Sequence, residues 1–191
     1  MGGRVNILVT GATGFLGLSM VRSVLARKHT VRCMIRSCKY RHRLPVDDES
    51  IIYASMTDHD LFDKACLDID AVIHCAAATS SAGRPNWRNS RAVNVMGSEK
   101  LFEAAGKQGV KQWVQISSMS AHPESTSAYG RTKLEIDEFL RASDSNIEWT
   151  ILRPSLIYGP DERGLVSNCL LYTSDAADDT PCVDLGGRRI I

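Results

Sequence analysis

Tyr129 and Lys133 stand four positions apart in the stretch Tyr129-Gly130-Arg131-Thr132-Lys133. A helical pattern covers residues 129–142, so the phenol and the ammonium fall on one face, one turn apart. A phenol with its ordinary pKa of about 10 is a weak acid–base group at neutral pH. A neighbouring ammonium favours the phenolate, and that spacing is expected to lower the value. Tyr129 could then give a proton to, or take one from, a carbonyl or alcohol oxygen. Upstream, residues 112–117 read as a strand running into Ile116-Ser117-Ser118-Met119-Ser120. A serine hydroxyl at the carboxyl edge of a sheet, where ligands of open α/β folds bind, could hold the substrate oxygen against Tyr129. Tyr129 has a plainer reading as a partly buried aromatic at a helix start, but the paired lysine and the upstream serines weigh against it.

Several elements must bring those groups together. Residues 5–9 are an apolar run that reads as a buried strand, and residues 15–27 follow as a helix. Between them lies Thr10-Gly11-Ala12-Thr13-Gly14-Phe15-Leu16-Gly17. Glycines 11, 14 and 17 match the strand–turn–helix phosphate-binding fingerprint. Gly11 allows the tight turn, Gly14 lets backbone approach a pyrophosphate, and Gly17 lets the helix pack close to the sheet. Free N–H groups and the helix dipole then face the anion, so Thr13, Phe15 and Leu16 join the glycines as candidate cofactor-binding residues. Further strands are expected at 30–35, 51–54, 71–75, 112–117 and 149–153. Helices are expected at 59–66, capped by Thr57 and Asp58, and at 91–108 and 129–142, with a loop over 79–89. This alternation predicts an α/β fold with a doubly wound parallel sheet of the Rossmann type.

Bulk properties narrow the class. The chain has 191 residues, 43% of them hydrophobic and 24% charged, which suits one ordinary globular domain. A formal charge of +1 gives no reason to expect nucleic acid or an anionic membrane as partner. No apolar stretch is long enough to span a bilayer, and with the first strand opening at residue 5 no signal peptide is expected. Six cysteines without CxxC pairs or His/Cys clusters predict reduced thiols, a cytoplasmic location and no metal site. His74 and Cys75, in an apolar strand, read as core residues. Lys100, Arg88 and Arg91 read as solvated surface, although the 79–91 stretch lies where substrates can enter.

The last stretch differs in character. Residues 169–191 read CLLYTSDAADDTPCVDLGGRRII and resemble no protein family. They resemble the in-frame translation of a short-read sequencing adapter: a transposon end and linker over 169–178, a variable index over 179–182 and a flow-cell primer over 183–191. The expectation is therefore a domain at 1–168 and an artefactual tail at 169–191, excluded from the fold. Four cysteines remain once Cys169 and Cys182 are set aside. The sheet is then expected to be incomplete at its C-terminal side, without a substrate lobe, and a chain so shortened is expected to be inactive.

Residues 4–168 resemble the short-chain dehydrogenase/reductase superfamily, in its extended or atypical branch of nucleotide-sugar epimerases, dehydratases and reductases. The resemblance rests on TGATGFLG at 10–17, DAVIHCAA at 70–77, Asn94-Val95-Met96-Gly97, ISS at 116–118, YGRTK at 129–133 and LRPSLIYGP at 152–160. It implies that Ser118 takes the family's serine/threonine role, that Tyr129 is the acid–base group, and that Lys133 is its partner and a nicotinamide ribose ligand. Ala76 and Ala77 would line the dinucleotide's path, and Pro154 would sit near the nicotinamide. Asn94 is assigned a structural role, satisfying buried backbone behind the site. The resemblance also implies a small-molecule substrate and admits a homodimer of the full-length protein.

NAD-binding members end the second strand with an acidic residue for the adenosine ribose. That position here is Ile35, followed by Arg36, Ser37 and Lys39. No carboxylate repels a 2′-phosphate, and Arg36 can fork onto one, so NADP(H) is favoured over NAD(H). Ser55 takes the place of the family's aspartate after the third strand. The expected function is hydride transfer to or from a carbonyl, alcohol or sugar-nucleotide substrate with Tyr–Lys acid–base chemistry. Only eleven positions separate Ser118 from Tyr129, leaving little loop for sugar recognition. The competing expectation is a nonenzymatic dinucleotide-binding regulator or assembly subunit.

Overall fold

A computed structural model describes residues 3–79 and 87–159. Six strands form one sheet: β1 (Asn6–Thr10), β2 (Thr30–Ile35), β3 (Ile51–Tyr53), β4 (Ala71–His74), β5 (Gln112–Ile116) and β6 (Glu148–Leu152). The helices are α1 (Phe15–Ala26), α2 (Phe62–Cys66), α3 (Trp87–Arg91), α4 (Gly97–Lys107) and α5 (Ala128–Ala142). Every strand pair is parallel, in the order β3-β2-β1-β4-β5-β6. The strand order reverses between β1 and β4, so the crevice expected of a doubly wound sheet opens at the carboxyl ends of those two strands.

Alternation along each strand divides the core into two layers. Leu8, Met34, Val72 and Trp113 face a cluster containing Phe62, Leu101, Phe102 and Leu140 of α2, α4 and α5. Val9, Val31, Cys33 and Ile35 face the other side, against Leu18, Val21 and Val24 of α1. Phe102 meets the Trp113 ring edge-on at 5.2 Å. Among the described residues β3 and β6 are the two edge strands, and all residues of β6 but Ile151 are exposed.

Strand positions agree with the sequence reading to within a residue, and three helical expectations change. The helix expected over 91–108 is α3, a π-helical segment (Ala92–Met96) and α4. At its junction, Gly97 lies so close to Met56 that a Cβ would be driven into the Met56 carbonyl. The helix expected over 59–66 opens as a 3-10 turn (His59–Leu61) before α2. Asp58 does not cap it; its Oδ2 turns back to accept from the Ser55 N–H at 2.7 Å. Two 3-10 segments, Cys38–Arg43 and Asp48–Ser50, lack any periodicity and escaped the sequence reading. Arg41 holds them, donating to Asp48 Oδ1 at 2.6 Å and to the carbonyls of Leu44 and Val46. Most of the loop expected at 79–89, the domain boundary at 168 and the 169–191 tail lie outside the described residues. The segment up to Ile157 forms one unit, and of the second, Tyr158–Ile191, only Tyr158 and Gly159 are described.

Candidate active site

The loop after β1 is a bare cradle. Gly11 has φ +64°, a left-handed conformation open to glycine, and a Cβ there would meet the Ala76 backbone at 2.9 Å. The turns after β1 and β4 therefore touch at the switch point. The Gly14 N–H donates to the Gly11 carbonyl at 2.9 Å, closing the turn. Gly14 is exposed, leaving its Cα open to an approaching group. Gly17 is bare because a Cβ would strike the Gly11 carbonyl, so at this position the close approach is to the helix's own loop, while Leu18, Val21 and Val24 of the same helix pack on the sheet. α1 then starts at Phe15 with no side-chain cap and no acidic residue in its first turn. Its dipole and free N–H groups are left to an outside anion, and these residues fit a dinucleotide pyrophosphate.

Arg36 is exposed at the carboxyl end of β2, whose Met34 pairs with Thr10 beside the cradle. Arg43 was missed from the sequence. It reaches back across 30 residues, its Nη1 donating to the Thr13 carbonyl at 3.2 Å. Its charged head thus lies on the rim of the glycine loop, and only the 3-10 fold of Cys38–Arg43 brings it there.

Tyr129 and Lys133, the candidate acid–base pair, sit on the first turns of α5. Ser127 caps that helix, its Oγ accepting from the Gly130 N–H at 2.9 Å. Gly130 has no room for a Cβ, which would strike Ser125 Oγ and the Ser120 carbonyl. The segment after β5 is thereby pressed onto the start of α5, beside Tyr129. Ser118 is partly buried; its Oγ accepts from the Ser120 N–H at 3.1 Å and pairs with Ser120 Oγ at 2.9 Å. The Pro154 carbonyl accepts from the Met119 N–H at 3.1 Å, bringing Pro154 beside Ser118. Ala76 and Ala77 follow β4, and the Ala76 N–H donates to Thr10 Oγ1 at 3.2 Å.

Lys133 is only 2% exposed, and its Nζ donates to the Ile116 carbonyl at 2.6 Å. Burial pushes it down to about 8, opposed by the neighbouring Cys75 and Asp137. The ammonium lies 5.8 Å from the centre of the Tyr129 ring. Burial raises the Tyr129 pKa above its ordinary value, contrary to the lowering expected from helical spacing alone. The reason is physical: the lysine is drawn to a backbone carbonyl, and the phenol is desolvated.

Asp137, one turn beyond Lys133, is the main residue the sequence reading passed over. It is fully buried, and its Oδ2 accepts from Ser117 Oγ at 2.8 Å and from Arg153 Nε at 2.9 Å and Nη2 at 2.8 Å. Ser117 precedes Ser118 and Arg153 precedes Pro154, so one carboxylate ties the ends of β5 and β6 to α5. Its four-residue spacing from Lys133 was the available signal. Asn94 has the expected structural role. Its Oδ1 accepts from the Ala78 N–H at 2.6 Å, and its Nδ2 donates to the Ala78 carbonyl at 3.1 Å and to Thr132 Oγ1 at 3.0 Å. No group of metal-ligating side chains exists among the described residues, and among the same residues no helix is long and apolar enough to cross a membrane.

A parallel sheet wound in both directions from β1, with a bare glycine turn at the switch point, defines an α/β protein of the dinucleotide-binding class. Residues 7–179 match the NAD dependent epimerase/dehydratase family, and the chain belongs to that family. The match runs past residue 168 into the stretch that resembles adapter. The chain is similar to UDP-glucose 4-epimerase of Vibrio cholerae, 30% identical over 193 residues, covering 88% of this chain and 57% of that protein. It is 28% identical over 181 residues to 2-alkyl-3-oxoalkanoate reductase of Stenotrophomonas maltophilia, covering 85% and 54%. The crystal structure of the Bordetella bronchiseptica enzyme WbmG in complex with NAD is similar at TM-score 0.79 and 26% identity, covering 95% of this chain and 63% of that one. Other relatives include a hydroxysteroid dehydrogenase/isomerase and a photosystem II assembly factor. The chain spans little more than half the length of the first of these relatives.

Proposed function

We propose that this chain is the cofactor-binding part of an NAD(P)(H)-dependent oxidoreductase or epimerase acting on a carbonyl, alcohol or sugar-nucleotide substrate. The observation that carries the reading is the packing of the Tyr129 turn of α5 against the ends of β5 and β6, on the sheet edge that also holds the glycine cradle. The cradle from Gly11 to Gly17 would hold the pyrophosphate, and Ala76, Ala77 and Pro154 would border the cofactor. When bound, the nicotinamide supplies or accepts the hydride. Tyr129 gives its phenolic proton to the substrate oxygen as that oxygen gains charge, or takes the proton in the reverse direction. The raised pKa of Tyr129 keeps it protonated at neutral pH, which suits the donor direction. Lys133, buried and cationic below about pH 8, supplies positive charge beside the phenolate left after transfer. Ser118 exchanges its Ser120 partner for the substrate oxygen.

NADP(H) is the favoured cofactor. β2 ends on Ile35 without a carboxylate, Arg36 is exposed beyond it, and Arg43 adds a second guanidinium at the cradle's rim. NAD(H), which the WbmG structure contains, is the alternative. The assembly factor among the relatives favours a second reading, a nonenzymatic dinucleotide-binding subunit. Retention of both Tyr129 and Lys133 favours the enzyme. Turnover of the full-length protein, its C-terminal part restored, assayed with NADPH or NADH on UDP-glucose and on a short 3-oxoalkanoate panel separates the two. Tyr129→Phe is expected to lose turnover by about a hundredfold or more while NADPH affinity stays within about threefold. Equal turnover in both proteins removes Tyr129 from the chemistry. We also read residues 169–191 as foreign to the domain at 1–168. Resequencing the gene across codon 168 from an independent template tests this, and a recovered native 169–191 overturns it.

A further inference from the structure

His74 ends β4, fully buried, and the proposed chemistry makes no use of it. Both of its ring nitrogens are engaged: Nδ1 with Thr10 Oγ1 at 2.8 Å and Nε2 with Ser98 Oγ at 2.9 Å. The partners assign the protons. Ser98 spends its hydroxyl hydrogen on the Asn94 carbonyl at 2.8 Å, so towards His74 it can only accept. His74 must therefore carry its proton on Nε2. Nδ1 is then an acceptor and takes the Thr10 hydroxyl hydrogen, while Thr10 Oγ1 accepts the Ala76 N–H. Beyond Asn94 the path continues through its side chain to Thr132 Oγ1, which donates to the Tyr129 carbonyl at 2.9 Å.

One directed chain of hydrogen bonds thus joins the end of β1, the turn after β4, the π-helical segment and the turn of α5 that carries Tyr129. It grips the post-β4 turn at two points, Ala76 from Thr10 and Ala78 from Asn94. π-helical turns inside helices often mark functional sites, and here the segment places the Asn94 carbonyl and side chain in two arms of the same chain. We infer that His74, as the neutral Nε2–H tautomer, is a positioning residue that fixes the floor of the cofactor cradle against the helix bearing Tyr129. Its catalytic consequence rests on the oxidoreductase reading; its geometry does not. The ring is suited to that task because burial, with Lys133 nearby, pushes its pKa down to about 3, so its donor and acceptor stay assigned throughout the physiological range.

The test has two arms. Long-range 1H–15N correlation spectra of the labelled protein are expected to show His74 neutral and protonated on Nε2 from pH 8 down to 5. An Nδ1–H tautomer or an imidazolium at pH 6 overturns the assignment. In the second arm His74→Phe, Ser98→Ala and His74→Gln are compared. Phe breaks the chain, Ala removes the Nε2–H acceptor in a milder way, and Gln keeps one acceptor and one donor on a planar head. Expected are a fall in kcat of about tenfold or more for Phe and Ala, NADPH Kd within about threefold, and recovery to within about threefold of wild type in Gln. Unchanged kcat in folded Phe and Ala variants, or no recovery in Gln, overturns the positioning role. If the full-length wild type, with its C-terminal part restored, shows no turnover, the oxidoreductase reading fails and hydrogen exchange decides this one. Protection of the Ala76 and Ala78 amides must then fall in the Phe and Ala variants and persist in Gln; equal protection in all of them overturns it.

Discussion

At position 36 a guanidinium stands just beyond the strand end where a carboxylate would repel a phosphate. Arg36 is exposed at that end of β2, and Arg43 approaches the same rim through the Thr13 carbonyl. A paired guanidinium and phosphate forms strong charge-assisted hydrogen bonds, but only where the phosphate exists. Arg36→Ala is therefore expected to weaken NADPH binding about tenfold and NADH binding less than about twofold, read by titration calorimetry. Equal weakening of both cofactors would return Arg36 to the solvated surface. The Tyr129–Lys133 pair carries a related lesson. Helical spacing placed the two together, yet a side chain four residues away is a neighbour and not necessarily a partner. Lys133 instead serves the Ile116 carbonyl, and desolvation raises the phenol.

Three elements meet on one carboxylate. Asp137 of α5 receives Ser117 from the end of β5 and Arg153 from the segment after β6. Its second oxygen, Oδ1, is buried and has no hydrogen-bond partner among the described residues, where the carboxylate's hydrogen bonds all serve the tie between these elements. Asp137→Ala leaves the Ser117 hydroxyl and the Arg153 head without an acceptor and is expected to cost about 1.5–3 kcal/mol in urea unfolding. Asp137→Asn keeps an acceptor and should lose less. If alanine and asparagine destabilise equally, charge and not the tie is what the site needs. A glycine in the first turn of α5 has the same kind of purpose: Gly130 lets the 118–127 segment lie on the helix, as Gly97 lets α4 lie on the Met56 backbone.

For the whole molecule, the buried neutral His74 links stability to pH. Its pKa is about 3 in the folded chain against 6.5 when exposed, so between those values the unfolded chain binds a proton that the folded chain refuses. Stability is thus full above about pH 6.5 and declines as pH falls towards 3, by up to about 1.4 kcal/mol per pH unit for this one group. Urea midpoints at pH 7, 6, 5 and 4 measure the slope, and His74→Gln is expected to flatten it; an identical slope in the variant assigns the loss to other groups. What the sequence determined by itself was whatever repeats or clusters locally. TGATGFLG could be read as a phosphate turn, strand–helix alternation as a doubly wound parallel sheet, and residues 129 and 133 as one helical face, because a strand's period of two and a helix's period of 3.6 are local properties of the chain. The apolar strand around it likewise marked His74 as a core residue, and the family resemblance gave Asn94 its role as support for buried backbone. The tertiary structure alone decided the protonation of Tyr129 and Lys133, the π-helical break around Asn94, the reach of Arg43 to Thr13, and the convergence of Ser117 and Arg153 on Asp137. These depend on desolvation and on hydrogen bonds between residues 16 to 66 positions apart, for which a linear sequence carries no period.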